Sequence, residues 1–199
     1  MNFYPIELPS VEPVTLDEAK AQCRVLDTSE DARLEALITV AREEAERVTH
    51  RALCEQEWEV RFDRFPCDGK SLVLPLPPIR EITIQYLDAA GVLQTWAPGD
   101  YVASQVFGQD EEVPVDAQRA SVIPAPNKTW PETQCGAVEA VRVQILCGYD
   151  EVPATAKQAI LVMIEDLFYQ RGSFVVGTIV SDQGLAEKLF GRLIAPRAA

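Results

Sequence analysis

The 199-residue chain contains a single histidine, His50, and that scarcity limits its chemistry. A general base would have to rest on that one residue, and nothing beside it in sequence marks a nucleophile or an orienting acid. His50 follows a long helical pattern, where a histidine complements the helix dipole. No P-loop, GxGxxG, GxSxG or HExxH motif occurs, and the ten glycines scatter at turns. The five cysteines (Cys23, Cys54, Cys67, Cys135 and Cys147) are odd in number and form no CxxC pair. This pattern signals neither a disulfide framework nor a zinc site, and predicts reduced, mostly buried thiols. No apolar run approaches the roughly 18 residues of a membrane span. The opening MNFYPIELPS lacks the basic and apolar regions of a signal peptide, so synthesis in a cytoplasm is expected. Positive charge is also scarce. Eighteen Lys and Arg stand against 31 Asp and Glu, a formal net charge of -13. Such a surface disfavours tight binding to nucleic-acid backbones and to anionic membranes.

What is present is clear periodicity. Residues 1–14 read as a proline-spaced, extended leader. Thr15 and Glu18 then form a capping-box pattern for a short helix ending near Arg24. Thr28 or Ser29 is expected to cap a second helix over about 30–49. There Leu34, Leu37, Ile38, Ala41, Ala45 and Val48 recur at spacings of three and four, which makes one apolar stripe.

At Cys54 the period changes. In EWEVRF, Trp58, Val60 and Phe62 alternate with Glu57, Glu59 and Arg61, the pattern of a half-buried antiparallel strand. SLVLPLPP ends a second strand in prolines. EITIQYLD and VLQTW read as a hairpin across DAAG. DYVAS, ASVIP and EAVRVQIL add further strands, giving a block of about five to seven. GQDEEVPVDAQ and APNKTWPETQCG read as loops. The acidic loop lacks the spacing and central glycine of a calcium loop, so no metal site is expected there. Trp58 and Trp96 are expected in the core, and Trp130 at the surface.

Helix returns at VPATAKQAILVMIEDLFYQR, with Pro153 in its first turn. Ala156, Ala159, Ile160, Met163 and Leu167 form one apolar stripe. Leu161, Ile164 and Phe168 form a second, which predicts burial on two sides. QGLAEKLFGRLIAP forms a last helix with Leu185, Leu189, Phe190 and Leu193 on one face. The order predicts an α+β fold: a small bundle of N- and C-terminal helices with an inserted antiparallel β domain. The expected divisions are 1–54, the N-terminal helices; 55–150, the β domain; and 151–199, the C-terminal helices and a contacting tail. Between the last two helices, GSFVVGTIVSDQG places Phe174, Val175, Val176, Ile179 and Val180 in a window without charge until Asp182. Such a stretch is buried either by its own helices or by a second chain.

The run PVTLDEAKAQCRV, DARLEALITVAREEAERVTHRAL, WEVRFDRFP and LPLPPIREITIQYLDAAGVLQTW resembles the head–tail connector (adaptor, or head-completion) proteins of tailed phages. VIPAPNKTWP, VRVQILCGYD and VPATAKQAILVMIEDLFYQRG continue the same order, and the subgroup with a β insertion is the most similar. The resemblance implies a structural virion protein at the head–tail neck, assembled in the bacterial host cytoplasm. It implies a ring of twelve copies beneath the portal protein, extending the DNA channel and offering a platform to the next neck protein, on the stopper or tail-terminator side. DNA would pass through without specific binding, with no enzymatic activity, cofactor or metal. The C-terminal segment would engage the portal or a neighbouring subunit. On that basis Phe174, Val175, Val176, Ile179, Val180, Leu185, Leu189, Phe190, Leu193 and Ile194 are the expected contact residues. Two other readings compete: a monomeric or dimeric interaction module such as an assembly chaperone, and an enzyme whose site is not recognised.

Overall fold

In the computed structural model, residues 1–67, 69–108, 111–170, 185–191 and 193–194 are described. The helices α1 (Leu16–Cys23), α2 (Asp31–Thr49), α3 (Ala154–Tyr169) and α4 (Leu185–Phe190) flank the strands in sequence. The strands are β1 (Asn2–Glu7), β2 (Gln56–Phe62), β3 (Leu72–Val73), β4 (Ile79–Leu87), β5 (Leu93–Trp96), β6 (Tyr101–Ser104), β7 (Ser121–Pro124) and β8 (Val141–Cys147). The fold is therefore α+β, with terminal helices packed together and antiparallel strands inserted between them.

Helix α1 starts as its sequence dictates. Thr15 Oγ1 accepts from the Glu18 N–H, and the Glu18 carboxylate accepts from the Thr15 N–H at 2.7 Å, which closes the capping box. Helix α2 departs from expectation at its start. Its N-cap is Glu30, without a side-chain cap bond, while Asp27 Oδ1 accepts from the Ser29 N–H and hydroxyl and holds a separate turn. The stripe Leu34, Ile38, Ala41 and Ala45 is buried as expected, against Ala156, Ala159, Ile160 and Ile164 of α3. Helix α3 has one fully buried face rather than two. Leu161 and Met163 are half-buried against the same helical core, and Leu167 is exposed.

Strands β1-β2-β8-β4-β5 form one sheet and β3-β7-β6 a second. The inner side chains Val60, Ile84, Val143 and Ile145 share a core with Leu72 and Val122 of the smaller sheet. One end of this core is aromatic. Phe65 stacks on Trp130 at 5.1 Å between centroids and lies 5.6 Å from Trp96. Trp130, expected at the surface, is thus buried. Trp96 is buried and Trp58 half-buried. Cys23, Cys54 and Cys147 are buried free thiols, whereas Cys67 and Cys135 are exposed. The start of the leader is not merely extended: Asn2–Glu7 pairs antiparallel with β2 and forms an edge of the larger sheet.

A glycine lies where the two halves meet. Gly148, at φ +121°, follows β8, and an added Cβ would lie 2.7 Å from the Glu55 backbone nitrogen and closer still to the Cys54 carbonyl. Only glycine allows the strand to pass so near the start of β2.

Candidate assembly surface

Three polar clusters fasten the ends of the chain to its middle. The first lies at the junction of helices and sheet. Arg42, buried on α2, donates to Glu12 at 2.8 Å and to Glu46 at 3.0 Å. Glu46 Oε1 also accepts from the Leu53 N–H at 2.9 Å and Gln56 Nε2 at 2.7 Å, and Gln56 Oε1 accepts from the Trp58 indole. Burial raises the Glu46 pKa above the usual carboxylate value, while the Leu53 N–H, Arg42 and Gln56 pull it down. The cluster ties the leader, α2 and β2 into one corner. In the sequence, Glu46 and Arg42 lie off the apolar stripe of α2, on positions that fit either solvent or polar pairing. Only the register between α2 and β2 brings Glu46 to Gln56.

The second cluster holds the N-terminal strand. Glu139 accepts from Asn2 at 2.7 Å, Tyr4 at 2.9 Å and Arg61 at 2.8 Å, and the Arg61 guanidinium lies 4.1 Å over the Tyr4 ring. Bonds from Arg61, then Asn2 and Tyr4, lower the Glu139 carboxyl to about 2. The strand they hold is exposed along its length, with Phe3 and Ile6 among its uncovered apolar residues.

The third cluster is built on Arg51, which is 1% exposed. Its Nε donates to the Leu193 carbonyl, and its Nη1 donates to the Ala117 carbonyl at 2.5 Å and lies 3.4 Å from the Tyr149 hydroxyl. Tyr149 in turn donates to the Val115 carbonyl at 3.0 Å. One arginine thereby secures the end of the C-terminal helical segment to the acidic loop and to the β8–α3 connection. An arginine just after a helix carries no sequence signal for such a role.

The expected contact residues divide. Phe174, Val175, Val176, Ile179 and Val180 lie outside the described residues, and Leu185 begins α4. Phe190 and Leu193 are each 1% exposed and sit in the helical core of this same chain, with Leu189 half-buried against it. Their apolar face covers α2 and α3, so these side chains pack in the core of this chain. Ile194 is exposed. His50 is the left-handed C-cap of α2, at φ 56°. Among the described residues, no group of His, Cys, Asp and Glu could hold a metal ion, and no helix is long and apolar enough to cross a membrane.

The larger sheet also presents a polar outer face. Glu57, Glu81, Thr83 and Gln144 surround Leu146 there and line a shallow depression of about 150 Å³. The clusters above fasten separate parts of the chain together.

Comparison with known proteins gives one sequence likeness and several fold likenesses. Residues 13–76, from the approach to α1 through β3, match the sequence family described as "Phage gp6-like head-tail connector protein". No curated protein matches the chain. The fold resembles that of a chain in the structure titled "Virion of native gene transfer agent (GTA) particle". The TM-score is 0.75 at 18% identity, covering 100% of this chain and 98% of the other. A chain from "Neck of empty GTA particle computed with C6 symmetry" gives 0.74 at 18% identity, with the same coverage. One from "Neck of native GTA particle computed with C12 symmetry" gives 0.61 at 17% identity, covering 98% of this chain and 97% of that one. Residues 13–76 are thus similar to the gp6-like head–tail connector family, and the full length shares its fold with chains of a gene transfer agent particle.

Proposed function

We propose that the protein is a structural head–tail connector of a phage-like particle, a non-enzymatic subunit of the virion neck. The family match across α1, α2 and the first strands of the β domain carries this reading. The full-length fold likeness to particle chains supports it. In this reading the subunits assemble head to tail into a ring of twelve beneath the portal, and DNA passes through the lumen. Closed rings of one protein use two different surfaces on each subunit. The net charge of -13 suits a lumen that repels phosphates and does not grip them. The next neck protein would dock on the side away from the portal. The division into helices over 1–54, a β domain over 55–150 and a C-terminal portion over 151–199 is part of this proposal, although β1 belongs to the sheet by position.

The C-terminal contact is proposed from sequence. Phe174, Val175, Val176, Ile179 and Val180 supply an apolar stretch, uncharged until Asp182 and suited to burial by a second chain, with Leu185 and Ile194 further along the chain. Val176→Asp is expected to leave the subunit folded, by circular dichroism, and to prevent its stable attachment to heads. A normal yield of tailed particles carrying that variant would overturn the contact assignment. The connector reading would then stand on its own test.

A further inference from the structure

The outer face of the smaller sheet is apolar. Strand alternation turns Leu72 and Val122 into the core and leaves Val73, Val102 and Ile123 exposed on the other side. Val102 and Ile123 are cross-strand partners, 49% and 48% exposed. Beside them lies a depression of about 370 Å³, lined in part by Ile123, Pro124, Trp130 and the exposed Lys70 and Lys128. Lys128 pairs with Asp100 at 2.9 Å, whereas Lys70 enters no ion pair among the described residues. The buried indole N–H of Trp130 likewise has no acceptor among them. In a chain of net charge -13, this face is apolar with hydrogen-bond donors at its rim.

The outer face of the larger sheet has the opposite character. Glu57 and Glu81 stand on either side of Leu146 across β2, β8 and β4, and Glu7 of β1 stands next to Glu57. Leu146, half-buried, lies in the shallow depression between them. None of these three carboxylates enters an ion pair among the described residues. Farther along the same face Arg61 is taken up by Glu59 and Glu139, so the free charge around Leu146 is negative.

The two sheets share one core, so these faces look away from each other on opposite sides of the β domain. One chain cannot bring them together, but two copies can. A head-to-tail contact joins two different surfaces of identical subunits. In a ring of twelve, successive copies turn by about 30°, which places the two contact surfaces nearly opposite each other on every subunit. Charge matches as well, lysines on one face against unpaired carboxylates on the other. We propose that the face carrying Val73, Val102 and Ile123 docks on the Leu146 face of a second copy, with Lys70 and Lys128 against Glu57 and Glu81 of that copy. The number of copies rests on the connector reading; the pairing of the two faces does not.

Carbodiimide joins a lysine to a carboxylate only where the two touch. The test treats an equal mixture of unlabelled and isotope-labelled full chain, in concentrated solution, and identifies linked peptides by mass spectrometry. Mixed-label links from Lys70 or Lys128 to Glu7, Glu57 or Glu81 are expected. Their absence, or links from these lysines to other surfaces of the second copy, would overturn the inference. Charge reversal gives an independent readout. K70E/K128E alone and E57K/E81K alone should each self-associate about tenfold more weakly than wild type in sedimentation velocity, because like charges then meet. Circular dichroism checks that both remain folded. An equal mixture of the two variants should associate as wild type does, since opposite charges again face each other at every contact. Unweakened single variants, or a mixture of folded variants that stays apart, would also overturn the inference. Neither readout involves heads or tails, so failure here leaves the connector reading to its own test.

Discussion

The two halves of this chain are packed by different chemistry. The helical half is closed by small and aliphatic residues: Ala19, Ala41, Ala45, Ala156 and Ala159 are all fully buried beside Leu34, Ile38, Ile160 and Ile164. The β half is closed at one end by rings, with Phe65, Trp96 and Trp130 in mutual contact and Tyr86 and Tyr101 at their margins. Helix axes approach to about 8–10 Å only where the contacting side chains are small. Two sheets face each other at about 10 Å and need long side chains from both inner faces. The contrast shows where each half is sensitive: the β half to losing volume, the helical half to gaining it.

The largest effect is therefore expected from deleting a ring. Trp130→Ala should cost about 3–5 kcal/mol, because Phe65 and Trp96 lose their shared partner. Denaturant unfolding measures this, and a loss below about 1 kcal/mol would mean that the aromatic end is not a core. A smaller loss, about 1–3 kcal/mol, is expected for Ala159→Leu, where α3 must move away from α2 to admit the added volume. If this variant were as stable as wild type, the alanine-closed helix contact would be wrong.

The smallest effect concerns the N-terminal edge and depends on pH. The Glu139 carboxyl is lowered to about 2 in the folded chain from an ordinary value of 4.5. A depressed carboxylate contributes stability that is complete above its unfolded value and is lost as pH falls through the folded one. Hydrogen exchange of the β1 amides should thus show weakening protection between about pH 4 and pH 2, beyond the intrinsic pH dependence. In Glu139→Gln that acid-dependent part should be absent. An unchanged profile in the variant would free the strand from this cluster.

The same contrast explains what could be read from the sequence. Helix α2 was legible because its buried residues recur at one helical period and its opposite face is charged. Strand β2 was legible because Val60 and its neighbours alternate with Glu57, Glu59 and Arg61. Strand β1 gave no such signal. An exposed edge strand has no buried face to impose alternation, and Pro5 and Pro9 suggest only extension. Trp130 was misjudged from its polar neighbours in KTWPET, because its burial comes from Phe65, 65 positions earlier in the chain. Arg42, Glu46, Arg51 and Glu139 were silent for a related reason. Charged side chains normally signal solvent, and only tertiary register turns them into fastenings. The two apolar stripes of α3 were legible as patterns but only partly in their outcome: Ala156, Ala159 and Ile160 of one and Ile164 and Phe168 of the other are buried together. Leu161 and Met163 are half-buried and Leu167 exposed in the single chain.

The central claim is that this subunit joins a DNA-filled head to the rest of the neck. The direct test is to image particles assembled in cells that lack this chain, and again after supplying it. The account requires filled heads and separate tails without the chain, and joined particles with ring-shaped density at the neck once it is restored. Normal tailed particles assembled in its absence would contradict the claim.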